Sequence, residues 1–214
     1  MKNLLIFASG AADGGGSGFV KLAEKVRSGQ IRNTQIFGVV SNHENGGVRE
    51  KADMLGIPFF YFNGPYTAEN YQEFVEKTNA DFVALSGWIK PVRGLDPRTT
   101  FNIHPGPLPR FGGKGMYGHH VHEAVLAAFK AGKIKYSAVT MHFVTEEYDK
   151  GPTCMEVRVP VFEADTVETL AKRVNEAEHE WQWHCTDKII NGEIYWDGVN
   201  PFSVVGAVNV PITD

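Results

Sequence analysis

The sequence contains very little cysteine, with two residues, Cys154 and Cys185, in a chain of 214. Two thiols do not make a disulfide framework, so we expect both to be reduced and buried. Long apolar runs are also missing, and none approaches the roughly 18 residues that span a bilayer. The N-terminal run Leu4–Ala8 is shorter than the roughly 7–15 apolar residues of a signal peptide. These shortages predict a cytoplasmic protein with no membrane partner.

Positive charge is not concentrated anywhere in the chain. The net charge is −4, from 21 Lys and Arg against 25 Asp and Glu, and no long basic block occurs. A surface that neutralises phosphates is therefore not evident, which argues against a nucleic-acid partner. Hydrophobic residues make up 43% and charged residues 21%, as in ordinary globular proteins. The length predicts one domain over residues 1–214, with halves at 1–100 and 101–196 and a tail at 197–214.

Short apolar runs alternate with amphipathic segments in the first half. The predicted buried strands are Leu4–Ala8, Gln35–Val40, Pro58–Phe62 and Phe82–Leu85. The predicted helices between them are Gly18–Arg27, Val48–Leu55 and Ala68–Thr78. Regular alternation of strand and helix indicates a doubly wound α/β fold, with a mostly parallel sheet and helices on both faces.

The second half is less regular. Predicted strands lie at about Thr99–His104, Tyr136–Val144 and Cys154–Phe162, and a helix is expected from about Gly118. The clearest helix is predicted to start at a capping box of Asp165 and Glu168 and to end near Gly192. The tail after Trp196 is expected to be irregular and partly mobile.

The segment FNIHPGPLPRFGG carries the strongest chemical signal. Asn102 and His104 are two residues apart on a predicted strand, so their side chains project from one face. Pro105 places His104 at the carboxyl end of that strand, where ligands bind in open α/β sheets. An amide and an imidazole there can stabilise an oxyanion and move a proton. Taken alone, the pattern also fits an ordinary strand end followed by a turn.

A second segment, MHFVTEEYDKGP, runs from a strand bearing His142 into an acidic loop with Asp149. An acid near His104 would fix the tautomer of the imidazole and favour its protonated form, so activity is expected to fall as His104 loses its proton. Taken alone, such a loop is more often solvated surface.

The loop SGAADGGGSGF follows the first strand and opens the first helix. Small residues at this place let backbone N–H groups approach an anion at the positive end of the helix. The loop does not match G-x-G-x-x-G, because Phe19 stands where the last small residue belongs, and it has no P-loop lysine. It therefore favours a phosphate over a dinucleotide or ATP, although a plain surface connection fits equally.

Three histidines, His119, His120 and His122, suggest a metal site, but residues one and two apart on a helix point in different directions. No H-E-x-x-H or C-x-x-C accompanies them, so we expect no metal.

Read together, these segments resemble the glycinamide ribonucleotide transformylase family, the folate-dependent enzymes of purine synthesis. NIHPGPLPRFGG is close to the family's N-I-H-P-S-L-L-P-x-x-x-G, and HFVTEEYDKGP to its H-F-V-T-x-x-x-D-x-G-P. The two motifs occur in the family's order, with His104 and Asp149 45 residues apart. The similarity extends from residue 1 to about residue 190.

The resemblance implies transfer of a formyl group from 10-formyltetrahydrofolate to the amine of glycinamide ribonucleotide, with no metal. Asn102 and protonated His104 would donate to the oxyanion, and Asp149 would keep His104 charged and assist a water in the proton transfer. The first half then becomes the phosphate-binding half and the second the catalytic and folate-binding half. Such small-molecule chemistry is compatible with a monomer or a homodimer.

The resemblance also implies two sets of binding residues. The ribonucleotide and its phosphate would contact Gly16, Ser17, Gly18, Asn175 and Glu178. The folate would contact Leu85, Trp88, Ile89, Lys90, Val92, Thr145, Glu146 and Tyr148.

The chain departs from the family pattern at three places. Gly18 replaces the Asn of the usual S-G-x-G-S-N loop, which is also shorter in the family, and this puts individual phosphate contacts in doubt. Lys90-Pro91 stands where Arg and an aliphatic residue are common, which puts the pterin contacts in doubt. The long loop 112–118 has the features of a lid, and its Lys114 is a candidate anion ligand.

Several alternatives share parts of this pattern. A methionyl-tRNA formyltransferase would be expected to carry a basic C-terminal domain, and a formyltetrahydrofolate hydrolase an N-terminal regulatory domain. A sugar-nucleotide formyltransferase remains open because the acceptor pocket is poorly specified. A non-catalytic nucleotide-binding module would give Asn102, His104 and Asp149 no joint role, and the imperfect glycine pattern disfavours a nicotinamide-dependent reductase.

Overall fold

The computed structural model describes residues 1–11 and 14–212, which form one sheet covered by helices. The strands are β1 Lys2–Phe7, β2 Thr34–Ser41, β3 Phe59–Tyr61, β4 Phe82–Leu85, β5 Thr100–His104, β6 Tyr136–Phe143, β7 Thr153–Pro160 and β8 Val208–Val210. The helices are α1 Ser17–Arg27, α2 Gly47–Leu55, α3 Ala68–Thr78, α4 His119–Lys130 and α5 Val167–Ile190. Every predicted strand and helix is present, with ends shifted by a few residues at most.

The sheet order is β3-β2-β1-β4-β5-β6-β7-β8. Strands β1 to β5 pair in parallel, β6 is antiparallel to both β5 and β7, and β8 is parallel to β7. The predicted doubly wound, mostly parallel α/β fold is confirmed.

Alternate residues of β1 pack into two different hydrophobic cores, because successive side chains of a strand point to opposite faces of the sheet. Leu4 and Ile6 pack on one face, in the core to which α1, α2, α4 and α5 contribute. Leu5 and Phe7 pack on the other face with Tyr71 of α3 and with Trp88. Because both faces of β1 are covered, its sequence is apolar throughout rather than alternating.

The strand order reverses at β1, which has β2 on one side and β4 on the other. Connections from the carboxyl ends of adjacent strands diverge at such a switch point and leave a crevice between them. The carboxyl ends of β1, β4 and β5 meet there, which brings Ser9, Ser86 and His104 to the same edge of the sheet.

The predicted start of α5 is wrong in detail. The N-cap is Thr166, whose side chain accepts from the Thr169 backbone N–H, while the Thr169 hydroxyl accepts from the Thr166 N–H. Asp165 instead bonds to the Phe162 N–H and to Arg173. Arg173 and Asp165 form a bidentate ion pair, and the local sequence motif gives no sign of it.

The tail is also more regular than expected. Tyr195 pairs with Val205, and Val208–Val210 add a parallel strand to β7. These strand residues are only partly buried, so they have no strong apolar pattern, and the free edge of β7 decides their conformation.

Within the described residues, no helix is both long and apolar enough to cross a membrane. Cys154 and Cys185 are free thiols and fully buried, as predicted, and their sulfur atoms lie 3.6 Å apart.

Candidate active site

Asn102 and His104 lie at the carboxyl end of β5, on one face of the strand and on the wall of one cavity. The His104 Nε2–H donates to the Phe111 carbonyl at 2.8 Å, which assigns the neutral tautomer and leaves Nδ1 as the free nitrogen. His104 Nδ1 is 3.7 Å from Asp149 Oδ2. This distance is too long for a direct hydrogen bond, so the carboxylate acts on the imidazole through its charge.

His142 joins Asn102 to Asp149. Its Nδ1–H donates to the Phe143 carbonyl at 2.8 Å, and its Nε2 faces Asn102 Nδ2 at 3.0 Å and Asp149 Oδ1 at 3.5 Å. The antiparallel pairing of β5 and β6 sets Asn102 directly opposite His142. The sequence places His142 on a strand but indicates no role for it, and only its cross-strand register with Asn102 makes it part of the site.

The charge state of His104 differs from the sequence-based expectation. Burial lowers the pKa of His104, and the Asp149 carboxylate and the Phe111 carbonyl only partly offset that effect. This direction favours the neutral form of His104 in the free protein, whereas the sequence-based expectation was the charged form. The reason is that the side chain is only 4% exposed, so the charged ring loses more hydration than Asp149 returns.

Asp149 is held ionised by its neighbours. Burial raises its pKa, but the neighbouring imidazoles of His142 and His104 and the Gly113 N–H together bring the pKa below its ordinary value. The Gly113 N–H donates to Asp149 Oδ2 at 2.9 Å. A Cβ on Gly112 would lie 2.8 Å from Asp149 Cβ and 2.4 Å from Leu108, so the loop approaches Asp149 closely only because residue 112 is glycine.

Three adjoining cavities form a cleft along this edge of the sheet. The central cavity has a volume of about 470 Å³. Asn102, His104 and Asp149 line it, together with residues 113–118. It shares Trp88, Asn102, Tyr148 and Asp149 with a narrow cavity of about 50 Å³. It shares Gly87, Ile89, Ile103 and Glu178, among others, with a third cavity of about 620 Å³. The catalytic candidates therefore lie in the central cavity, which adjoins the other two.

The narrow compartment contains most of the residues expected to contact folate. Leu85, Trp88, Lys90, Val92, Thr145, Glu146 and Tyr148 all line it. Ile89 does not, and lies between the central and the largest cavity instead. Pro91, Val144 and Glu147 also line it and were not singled out from the sequence.

The largest compartment lies at the start of α1 and contains all five residues expected at the ribonucleotide: Gly16, Ser17, Gly18, Asn175 and Glu178. The α1 N-cap is Gly16 in a left-handed conformation, with no side chain bonded to the first-turn amides. Such free amides at a helix start attract an anion. His179 also lines this compartment, with Nε2 3.0 Å from Ser17 Oγ, and it was missed because its neighbour lies on another helix.

Glu178 is partly buried between the largest and the central compartments. Burial raises its pKa to about 7, although the Asn175 amide, 3.3 Å away, acts in the opposite direction. A carboxyl group that titrates near neutrality can donate or accept a hydrogen bond at the acceptor end of the cleft.

The three histidines near α4 do not converge. His119 borders the largest cavity, the exposed His120 faces Glu123, and His122 is buried, which lowers its pKa to about 4. Across residues 1–11 and 14–212, no three His, Cys, Asp or Glu side chains are grouped as metal ligands.

An acid, two imidazoles and an amide lie at the centre of a cleft at the sheet's switch point, with an anion-attracting helix start at one end. These features define a class: α/β enzymes with acid–base residues in a cleft at the switch point of the sheet. The chain belongs to the formyl transferase family, whose family model matches residues 2–186.

Several relatives within this family carry the name of one enzyme. The chain is 39% identical over 211 residues to a chloroplastic phosphoribosylglycinamide formyltransferase of Arabidopsis thaliana, covering 92% of this chain and 69% of that protein. It is 29% identical to the Bacillus subtilis phosphoribosylglycinamide formyltransferase, covering 85% of this chain and 91% of that protein. The crystal structure of the Anaplasma phagocytophilum phosphoribosylglycinamide formyltransferase superposes with a TM-score of 0.76 at 25% identity and covers 99% of both chains.

Proposed function

We propose that this protein transfers the formyl group of 10-formyltetrahydrofolate to the amine of glycinamide ribonucleotide, a step of purine synthesis. The observation that carries the proposal is the group Asn102, His142, Asp149 and His104, placed between two compartments of one cleft. The names of the relatives above agree with this acceptor and this reaction.

The acceptor amine attacks the formyl carbon, so that a C–N bond forms and the carbonyl oxygen becomes an oxyanion. Asn102 lines the central cavity and donates from its amide to that oxygen. The His142 imidazole and the Asp149 carboxylate hold Asn102 and His104 in place around it. Donors that are already oriented need no reorganisation as the charge develops.

His104 is the base that takes up the proton lost by the amine. Its free Nδ1 is unprotonated in the resting protein, because burial lowers its pKa. It accepts the proton of the attacking amine, directly or through a water, and the resulting imidazolium is stabilised by Asp149 and by the oxyanion. When the bond from carbon to the folate nitrogen breaks, the same proton passes to that nitrogen, and His104 returns to its neutral form.

We assign one substrate to each of the two outer compartments. The narrow one, with Leu85, Val92 and Val144 as apolar walls, suits a flat pterin ring once its side chains move apart. The larger one, with the α1 amides, Ser17 and His179, suits the phosphate of the acceptor. The amine and the formyl group would then meet at the central cavity.

The test is a turnover assay with the purified protein, 10-formyltetrahydrofolate and glycinamide ribonucleotide, in which release of the deformylated folate is followed by absorbance. We expect release that depends on the acceptor, and a formylated acceptor by mass spectrometry. Parallel reactions contain an amino-sugar nucleotide or no acceptor.

Turnover only with the amino-sugar nucleotide would overturn the acceptor and retain the chemistry. Folate release without any acceptor would indicate hydrolysis rather than transfer. No release in any reaction, from a protein that is folded by circular dichroism, would overturn the proposal.

The cytoplasm and a monomeric or homodimeric state are part of the same proposal. Two buried free thiols fit a reducing compartment. The Arabidopsis relative is named as chloroplastic, so cell fractionation is the deciding measurement for location. Light scattering coupled to size exclusion decides the oligomeric state.

A further inference from the structure

The passage between the central cavity and the largest compartment is marked by the residues that line both of them. These are Gly87, Ile89, Ile103, Tyr117, Gly118 and Glu178. Glu178 is already expected at the ribonucleotide, and Ile89 and Ile103 have apolar side chains. Tyr117 adds an aromatic ring from the loop 112–118, and neither the sequence pattern nor the proposed reaction gives that ring a role.

Tyr117 is held in position although much of its surface is uncovered. The residue before it, Met116, packs against the main hydrophobic core, and the Met116 N–H donates to the Gly113 carbonyl at 3.0 Å. The rings of Tyr117 and His120 meet edge-on, with their centroids 5.8 Å apart. Tyr117 nevertheless remains 48% exposed, and Ile89 remains 38% exposed. Large apolar side chains that lie open in a cleft are typical of a surface that a ligand covers.

The place of Tyr117 along the cleft decides which part of a ligand it would meet. The start of α1, at one end, attracts an anion. Asn102, His104 and Asp149 lie in the central cavity, where the amine reacts. An acceptor that reaches from one to the other has its sugar ring at the passage. The C–H face of a sugar ring is apolar, so a flat aromatic side chain can pack against it.

We propose that Tyr117 is a binding residue for the acceptor and that its ring packs against the sugar. The ligand class is a furanose phosphate that carries the reacting amine. Glu178 lines the same passage and can meet the sugar hydroxyls, so the two residues would contact the polar and the apolar parts of one ring. The proposal rests on the proposed function, from which it takes the acceptor, and adds the residue that recognises the sugar between the anion and the amine.

The first test compares variants that remove the ring with one that keeps it. Steady-state kinetics with glycinamide ribonucleotide should show a KM about tenfold higher in Tyr117→Ala, which corresponds to about 1.4 kcal/mol. Tyr117→Phe, which loses only the hydroxyl, should stay within about twofold of wild type. The kcat and the KM for folate should change by less than about twofold in both variants.

Two further variants serve as checks on folding and position. Tyr117→Leu keeps an apolar side chain in the loop, so its KM should lie between those of Tyr117→Ala and Tyr117→Phe, and it replaces Tyr117→Ala if that variant does not fold. Tyr195→Ala is the matched control, because Tyr195 is 53% exposed in the tail, outside the cleft. It should leave every kinetic constant unchanged.

The second test is a calorimetric titration that separates the sugar from the anion. Ribose 5-phosphate carries a sugar ring and a phosphate, whereas inorganic phosphate carries only the anion. We expect the Kd of ribose 5-phosphate to rise about tenfold in Tyr117→Ala, and the Kd of inorganic phosphate to stay within about twofold. General distortion of the loop would weaken both ligands equally.

Three results would overturn the role of the ring: an unchanged KM in Tyr117→Ala, an equal loss in Tyr117→Phe, or equal weakening of ribose 5-phosphate and inorganic phosphate. If wild type shows no turnover, the proposed function fails, and calorimetry then tests the inference alone. In that case, ribose 5-phosphate that does not bind to wild type, or that binds to Tyr117→Ala equally well, would refute the inference.

Discussion

At the scale of single residues, His104 is subject to two opposing effects. Burial favours the neutral ring, and the Asp149 carboxylate, 3.7 Å from Nδ1, favours the charged ring. The outcome is a pKa below the ordinary value of about 6.5. The residue is thereby prepared to accept a proton in the reaction rather than to hold one beforehand.

The lowered pKa of His104 predicts how the activity depends on pH. As the pH falls from 8 through the lowered pKa of His104, the free base is lost, so kcat/KM should fall on the acid side below about pH 6.5. Asp149→Asn removes the charge that raises the pKa, so the pKa of His104 should fall further and the activity should drop strongly. NMR titration of the His104 ring in both proteins measures this directly. A pKa above 6.5 in wild type, or a rise in Asp149→Asn, would contradict the assignment.

The same depressed pKa affects folding. Because the unfolded chain binds a proton at His104 more readily than the native protein, the native state loses stability as the pH falls below the unfolded pKa of about 6.5.

Asn102 is expected to contribute mainly to the barrier. Asn102→Ala removes one preoriented oxyanion donor, which should raise the barrier by about 3 kcal/mol and lower kcat by roughly 10²-fold. The KM values should change little, because the interaction forms in the transition state. Asn209→Ala, on the exposed part of β8, is the matched control and should retain full activity. A loss of less than threefold in Asn102→Ala would remove Asn102 from the catalytic set.

At the scale of elements, the loop 112–118 does more than cover the central cavity. Its start is attached to the site through the Gly113 N–H, which donates to Asp149, while Asp149 itself has a left-handed φ of 55°. A non-glycine residue in that region is strained and persists only where its surroundings hold it. The loop is therefore one of the parts that position the carboxylate.

This coupling predicts an effect of Gly112→Ala on chemistry. The new Cβ would lie 2.8 Å from Asp149 Cβ and 2.4 Å from Leu108, so it should displace the acid and lower kcat by about 10- to 100-fold. Gly115→Ala is the control in the same loop: its φ of +89° strains the backbone, but the new Cβ meets nothing within 4 Å and so does not contact Asp149. If both variants lose the same activity, general distortion of the loop, rather than contact with Asp149, is responsible.

At the scale of the whole molecule, the two substrate compartments adjoin without being the same space. Each substrate should therefore stabilise the native state independently, by RT ln(1 + [L]/Kd), or about 2.7 kcal/mol at 100 times Kd. The measurement is the urea midpoint with glycinamide ribonucleotide, with a non-reactive folate analogue and with both. We expect the two stabilisations to add, and a combined value no larger than the greater single one would indicate overlapping sites.

Most of the fold could be predicted from local patterns, since buried strands and amphipathic helices differ in their periods. Asn102 and His104 could be paired from sequence, because two residues apart on a strand share a face and Pro105 ends that strand. The link to Asp149 came from motif order, as nothing local connects residues 45 positions apart. The start of α5 and the strand at Val208–Val210 could not be predicted, because Arg173 and the edge of β7 decide them.

The sequence by itself determined the alternation of strands and helices and the residue types available for catalysis. Only the tertiary structure decided the pKa shift of His104 and the inclusion of His142 in the site. The physical reason is the same in each case. A pKa depends on burial, and a hydrogen bond depends on which elements meet, and both are set by packing between segments distant in the chain.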